Sequence, residues 1–383
     1  MKIRDIHVRK FRNHTQTDAV FGHGVNALLG KNGEGKTNLL EAISYLCLTK
    51  SFFGSTDGIV LQIGEDRFEV SGELEGDAGV RYHVAVTYEH AEREKKFYIN
   101  RIKVEKFSDV VGQFPVVVLS PESGGITAGG PADRRRFLDF VISQASKVYL
   151  EDLLEYRRVL RQRNKVLFDN KASRTDITDL LEPWNQELVD RGARITHRRQ
   201  LFLEEFRPLV TESYGSIAGR VEEPMMTYEP SVNGNGSATE EEIKEAFAKE
   251  LARKANEEKR FGITLVGPHR DELALEINNL RVRAHASQGQ HKTLLVALKV
   301  AEYLYVQSKR NERPVLLLDD IFTELDKHRA ERLLALTGSV GQAFITTASD
   351  SVFPSDFDWT SGNKQFVVYE GKVENEGARV VTH

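Results

Sequence analysis

Cysteine is almost missing. Cys47 stands alone in 383 residues, so no disulfide can close within the chain, and the composition fits a reducing compartment. With no second cysteine or nearby catalytic histidine, Cys47 reads as a small core residue. Long apolar runs are missing too: none approaches the ~18 residues that cross a bilayer, and Met1-Lys2-Ile3-Arg4-Asp5 does not read as a signal peptide. A cytoplasmic protein without membrane contact is expected. Excess charge of one sign is also absent. The 53 Lys+Arg face 57 Asp+Glu, a net charge of −4, so the chain does not coat nucleic acid by bulk charge and any DNA contact must come from local patches. Internal repeats and extended low-complexity segments are lacking. What remains, 40% hydrophobic and 29% charged, is enough for two or three domains.

The stretch around which this chain is organised is Gly30-Lys31-Asn32-Gly33-Glu34-Gly35-Lys36-Thr37, a complete G-x-x-x-x-G-K-T phosphate loop. Val25-Asn26-Ala27-Leu28-Leu29 before it reads as a buried strand. Leu39, Leu40, Ile43, Leu46 and Cys47 after it fall on one helical face. Glycines let the loop curl so that its N–H groups, with the positive end of the helix, face an anion. In such loops the lysine, here Lys36, reaches the β- and γ-phosphates of ATP, and the hydroxyl, here Thr37, ligates Mg²⁺.

Along the chain, Ile6, Val8 and Phe11 suggest an entry strand, and Ser51 to Gly64 a surface excursion. From Arg67 to Val104 the period is two, with Val80, Tyr82, Val84, Val86 and Tyr88 on one face of an antiparallel meander. Pro115 to Leu119 is a buried strand ending at Ser120-Pro121-Glu122. The texture turns helical near Gly129-Gly130-Pro131, with stretches Arg134 to Phe168 and Thr178 to Phe206 and no helix expected beyond ~30 residues, roughly 45 Å. A loop, Asn233-Gly234-Asn235-Gly236-Ser237, precedes a capping box at Thr239-Glu240-Glu241-Glu242. The division predicted is an ATPase lobe of residues 1–132 and 263–383 with a helical domain of residues 133–262 inserted into it.

Within the returning α/β segment, Val315-Leu316-Leu317-Leu318 ends at Asp319-Asp320, the pattern of a central parallel strand whose tip faces a ligand. Asp319 is the expected second anchor of Mg²⁺, and Asp320 the group that polarises an attacking water. Its side chain is shorter than the usual glutamate, which predicts slow hydrolysis. Ser287-Gln288-Gly289-Gln290 stands shortly before that strand, and Thr323-Glu324-Leu325-Asp326 follows it. Alone the tetrapeptide would be a helix cap. Between a phosphate loop and an acidic strand it resembles the signature of the ABC ATPase superfamily.

The resemblance narrows to the RecF family of bacterial recombination mediators. Phe11-Arg12-Asn13-His14, the loop with Asn38-Leu39-Leu40-Glu41-Ala42, Leu119-Ser120-Pro121-Glu122, Arg134-Arg135-Arg136-Phe137-Leu138-Asp139, Gly267-Pro268-His269-Arg270-Asp271 and the Ser287 signature follow that family's pattern in its order. The fold implied is an α/β, ABC-type P-loop ATPase head with an antiparallel meander and an inserted helical domain. The resemblance implies that Ser287 and backbone amides at the start of the helix, with Gln290 in the same signature site, bind the γ-phosphate held by a second copy, so that ATP glues a homodimer. It further implies a weak DNA-dependent ATPase that marks single-strand/double-strand junctions at gaps, works with RecR and RecO, and serves RecA loading in repair and replication. The superfamily's switch histidine is replaced near Thr346-Thr347, and Glu122 is the nearest candidate for its Mg²⁺-sensing glutamine. An ATP-driven motor of a membrane transporter and an SMC-type chromosome organiser are the competing readings. The large insertion opposes the first and the short helices oppose the second. From 133 to 210 there are 16 Lys+Arg against 13 Asp+Glu, with clusters at Arg134-Arg135-Arg136, Arg157-Arg158, Arg161, Arg163, Lys165 and Arg198-Arg199 as DNA-contact candidates. His269, Arg270 and Asp271 read as a structural hydrogen-bond knot.

Overall fold

Strands with no polar face must be covered on both sides, and this chain gathers its most apolar segments into one sheet. The computed structural model describes residues 1–173, 176–218, 222–232, 238–339 and 341–375. The loop read at Asn233 to Ser237 lies outside the described residues. In the mixed sheet the order is Lys372–Asn375, Lys364–Tyr369, Val25–Leu29, Ala343–Thr347, Val315–Asp319, Val116–Leu119. All neighbours run parallel except the first pair. The register sets Thr346 opposite both Asp319 and Leu28, so the phosphate-loop strand and the acidic strand are separated by one strand and end at the same edge. Buried Asn26 donates to Gly22 O and Gly24 O and accepts from Gly22 N–H, which satisfies its amide inside the sheet.

The helix after the loop, Lys36–Leu48, is buried on nearly every side, Cys47 included. Burial pushes the Cys47 thiol up to about 12, which leaves it a packing residue. Over this helix lies the antiparallel sheet, ordered His14–Val20, Asp5–Phe11, Arg67–Glu75, Arg81–Glu89, Glu94–Ile99, Ile102–Lys103, with Lys2–Ile3 pairing Arg67–Glu75. Phe11, Tyr45 and Phe68 meet edge to face at 5.3–5.6 Å and weld helix to sheet. Val84, Val86 and Tyr88 alternate inward as expected, whereas Val80 precedes the strand and is exposed. The excursion from Ser51 carries a short helix, Asp57–Val60, and buries Val60, while Leu61 bridges Phe11.

The chain divides into two compact units. The described residues of Met1–Gly124, Ser213–Val221 and Lys292–His383 form the first, and those of Gly125–Glu212 and Glu222–His291 the second. The second contains Pro131–Ala145 and Lys147–Ser173, which break at Ser146, and Glu240–Phe261 behind its reciprocal Thr239–Glu242 cap. Two expectations need correction. Thr178–Ala218 runs 41 residues, not 30 or fewer, because the chain stays helical beyond Phe206 and through Pro208. This unit is also not purely helical. Pro224–Glu229, Glu272–Ile277 and Leu280–Arg281 form an antiparallel sheet, so segments beyond residue 262 pack with the inserted unit.

Candidate functional site

In the first unit Gly35, at φ +112°, turns the chain from loop to helix, and a Cβ there would sit 2.7 Å from the Asn13 side chain. The loop is strapped from outside. Asn13 Nδ2 and the Gly371 N–H donate to the Glu34 carbonyl, and the Glu370 N–H donates to the Glu34 carboxylate. Buried His14 holds the Gly35 carbonyl at 3.0 Å and Thr17 Oγ1 at 2.9 Å. Burial lowers the His14 pKa, so the ring is neutral and its Nε2–H donates to Gly35 O. Arg12 grips the fully buried Glu41 with two nitrogens, at 2.8 and 2.9 Å, pinning the helix that Lys36 opens. The Phe11-Arg12-Asn13-His14 motif was visible in the sequence. Its task as the outer brace of the loop was not.

The expected residues of this unit come together. Lys36 Nζ donates to Gly30 O at 2.7 Å and Lys31 O at 2.9 Å, and its charge is balanced by Asp320, Asp319 and Glu34. Burial lowers its pKa, more than these carboxylates restore. Asn32 and Gly33 form the exposed tip. Thr37 Oγ1 donates to Asp319 Oδ1 at 2.7 Å. Thr346 Oγ1 donates to the same oxygen at 2.8 Å and accepts the Asp320 N–H at 2.8 Å. Burial raises the Asp319 pKa, the hydroxyls of Thr37 and Thr346 oppose the rise, and Glu122 adds to it. Asp320 has φ +48°, a left-handed backbone that costs a non-glycine residue about 1–3 kcal/mol. Its Oδ1 is buried without a hydrogen-bond partner.

These groups fit a hard divalent cation in their chemistry. Thr37 and Asp319 offer oxygens only, within hydrogen-bond distance of each other, beside an unpartnered carboxylate oxygen. Among the described residues no three His, Cys, Asp or Glu gather as a metal cage, so phosphate and water oxygens would have to complete the shell.

Ser287 and Gln290 belong to the second unit. Ser287 Oγ accepts the Gln290 N–H at 3.2 Å, and Gln290 Oε1 accepts the Ser287 N–H at 2.8 Å, a reciprocal cap on Gln288–Arg310. The cap uses the serine's oxygen and leaves its hydroxyl proton free on an exposed residue. The basic clusters sort sharply. Arg134 is buried on Glu272, Arg163 on Glu258, and Arg199 on Asp139, while Arg135 donates to Asp271 O and Arg198 faces Asp152. Arg136, Arg157, Arg158, Arg161 and Lys165 stay exposed. His269 is held by the Tyr156 hydroxyl at 2.6 Å and by Thr264 O at 3.2 Å, a structural knot.

With loop, acidic strand tip and capped signature in place, relatives can be compared. The family model described as RecF/RecN/SMC N terminal domain matches residues 2–362. "DNA replication and repair protein RecF" of Chloroherpeton thalassium is 45% identical, covering 92% of this chain and 96% of the relative. The protein of the same name from Salinibacter ruber is 41% identical over 92% and 86%. The chain belongs to the RecF family. A solved structure of the recombination mediator protein RecF-ATPrS in the RecFOR pathway superposes at TM-score 0.90 and 32% identity, over 98% of both chains. The fold is the ABC/SMC-type ATPase head, and an SMC head matches it at TM-score 0.53 with only 13% identity. The RecF expectation from the motifs stands, as does the α/β head.

Proposed function

We propose that this RecF-family chain is an ATP-dependent DNA-binding switch for repair and replication of gapped DNA. It binds ATP with Mg²⁺, pairs with a second copy across the nucleotide, and hydrolyses slowly to let go. The observation that carries the reading is the convergence of Lys36, Thr37 and Asp319 at the carboxyl edge of one parallel sheet, with Thr37 and Asp319 2.7 Å apart. A relative described as RecF-ATP, similar over 97% of each chain, supports the ligand. Lys36 and the loop amides bind and orient the phosphates, Thr37 and Asp319 hold the cation, and Asp320 orients the water. Mg²⁺, when bound, neutralises charge developing on the transferred phosphate. Ser287, with Gln290 fixing its turn, offers a hydroxyl to the γ-phosphate of the facing protomer. The RecFOR pathway of the solved relatives supports RecR and RecO as partners, with RecA served indirectly, in the cytoplasm.

Gel filtration with and without ATP tests this reading. Lys36→Met is expected to weaken ATP binding at least about 100-fold, two lost charge-assisted contacts at 1.5 kcal/mol or more each. Ser287→Arg is expected to leave ATP affinity within about threefold, a change too small for a lost charge-assisted contact, yet abolish ATP-induced dimerisation. Normal dimerisation of the Ser287 variant would end the shared-site reading. Mobility shifts on gapped, linear duplex and single-stranded DNA, with ATP, ADP or neither, then report the preferred DNA.

A further inference from the structure

Thr346 sits in the central strand between the phosphate-loop strand and the acidic strand, fully buried. Its hydroxyl serves two neighbours. The proton goes to Asp319 Oδ1, which already accepts from Thr37, and the lone pair takes the Asp320 N–H. No hydrocarbon of the same shape can do either.

Asp320 needs such an anchor. It is an L-residue in the left-handed region, where relaxation to negative φ is downhill unless something holds the turn. Its Oδ1 has no protein partner, so no hydrogen bond to that oxygen steers the carboxylate. Lys36 attracts it, yet the Lys36 ammonium is bonded to the carbonyls of Gly30 and Lys31. The direction of the carboxylate is therefore set by the backbone. That backbone is tied at its N–H.

We infer that Thr346 is a positioning residue for hydrolysis: its hydroxyl locks the turn at Asp320 to the Asp319 carboxylate, so that the cation-side acid and the water-side acid move as one piece. This rests on the ATP-hydrolysis reading above.

The test uses the full chain with Thr346→Val, Thr346→Ser, Asp320→Asn and the Val/Asn double variant. In nucleotide-free protein, hydrogen exchange of peptides covering 315–322 is expected to quicken about 10-fold in the valine variant, as for one lost hydrogen bond, and hardly at all in the serine variant. In single-turnover hydrolysis with radiolabelled ATP and Mg²⁺, valine is expected to slow the step about 10- to 100-fold, as outer supporting groups do, while serine restores it. The double variant is expected to be no slower than Asp320→Asn alone, because both act through one carboxylate. ATP binding in EDTA is expected to stay unchanged in the valine and serine variants. Should the valine variant not fold by circular dichroism, Thr346→Ala carries the same readouts. Wild-type hydrolysis or unchanged exchange in the valine variant, or multiplicative loss in the double, overturns the role. If Lys36→Met weakens ATP binding while Thr346→Val hydrolyses normally, only this inference fails; if Lys36→Met binds ATP normally, the nucleotide reading fails first.

Discussion

Arg199 is a full charge with 2% of its surface exposed, and it survives there because each of its three guanidinium nitrogens donates a hydrogen bond. It bonds Asp139 at 2.7 Å, the Tyr149 hydroxyl at 3.0 Å and Pro268 O at 2.8 Å, with Asp271 at 3.6 Å. Removing one member of such a buried set strands the other charges. Arg199→Met is expected to cost about 3–5 kcal/mol in urea denaturation. From sequence, Arg199 and Arg163 were indistinguishable from solvated charges, since burial depends on partners such as Asp139 and Glu258 that lie 60 and 95 residues away. His269, in the same unit, gives a pH signature. Burial, with Arg270, Arg135 and Arg163 adding and the Thr264 carbonyl opposing, lowers its pKa to about 4. The unfolded chain, near the ordinary 6.5, binds the extra proton first, so stability is full above about pH 6.5 and falls as pH drops toward 4. The loss approaches on the order of 3 kcal/mol by pH 4. His269→Gln is expected to flatten that part of the stability–pH curve, as chemical denaturation at several pH values will show.

Among elements, the helix Lys147–Ser173 carries the clearest open stripe. Leu154, Arg158, Arg161, Lys165 and Phe168, spaced four, three, four and three apart, share one face. Leu154 is 44% and Phe168 68% exposed. Arg158 is paired with Glu155 and stacks near Trp184, whereas Arg161 and Lys165 have no ion pair among the described residues. Charge reversal at both is expected to lower the log–log salt slope of DNA binding by about 2, one released counterion per lost phosphate contact. An unchanged slope removes this helix from the DNA surface. By the same sorting, two of the three arginines at 134–136 are tied within the protein and the triplet is a weaker DNA candidate. Elements were legible where one local rule governed. The phosphate loop, the acidic strand and the Thr239–Glu242 cap are short-range patterns. The sheet joining 224–229 to 272–277 was not, because its strands are short and their pairing spans a helix. The long helix outruns the expected Phe206 end because it stays helical through Pro208, a residue whose local propensity is against it.

At the scale of the molecule, the α/β head with its meander followed from segment order, and the edge where Thr37 meets Asp319 from apolar strands ending in acids. The turn at Asp320 and its Thr346 tie did not, for a left-handed aspartate has no sequence mark and threonine is unremarkable in a strand. Nucleotide should stabilise the head as a whole. ATP and Mg²⁺ at about 100 times Kd are expected to add about 2.7 kcal/mol by mass action, seen as a rise in Tm that Lys36→Met loses.

The tie between Thr37 and Asp319 joins positions 282 residues apart. During synthesis at about 5–20 residues per second, about 14–56 s pass between the emergence of the two residues. Throughout that interval the nascent chain carries its phosphate loop without the acid that Thr37 meets in the folded head.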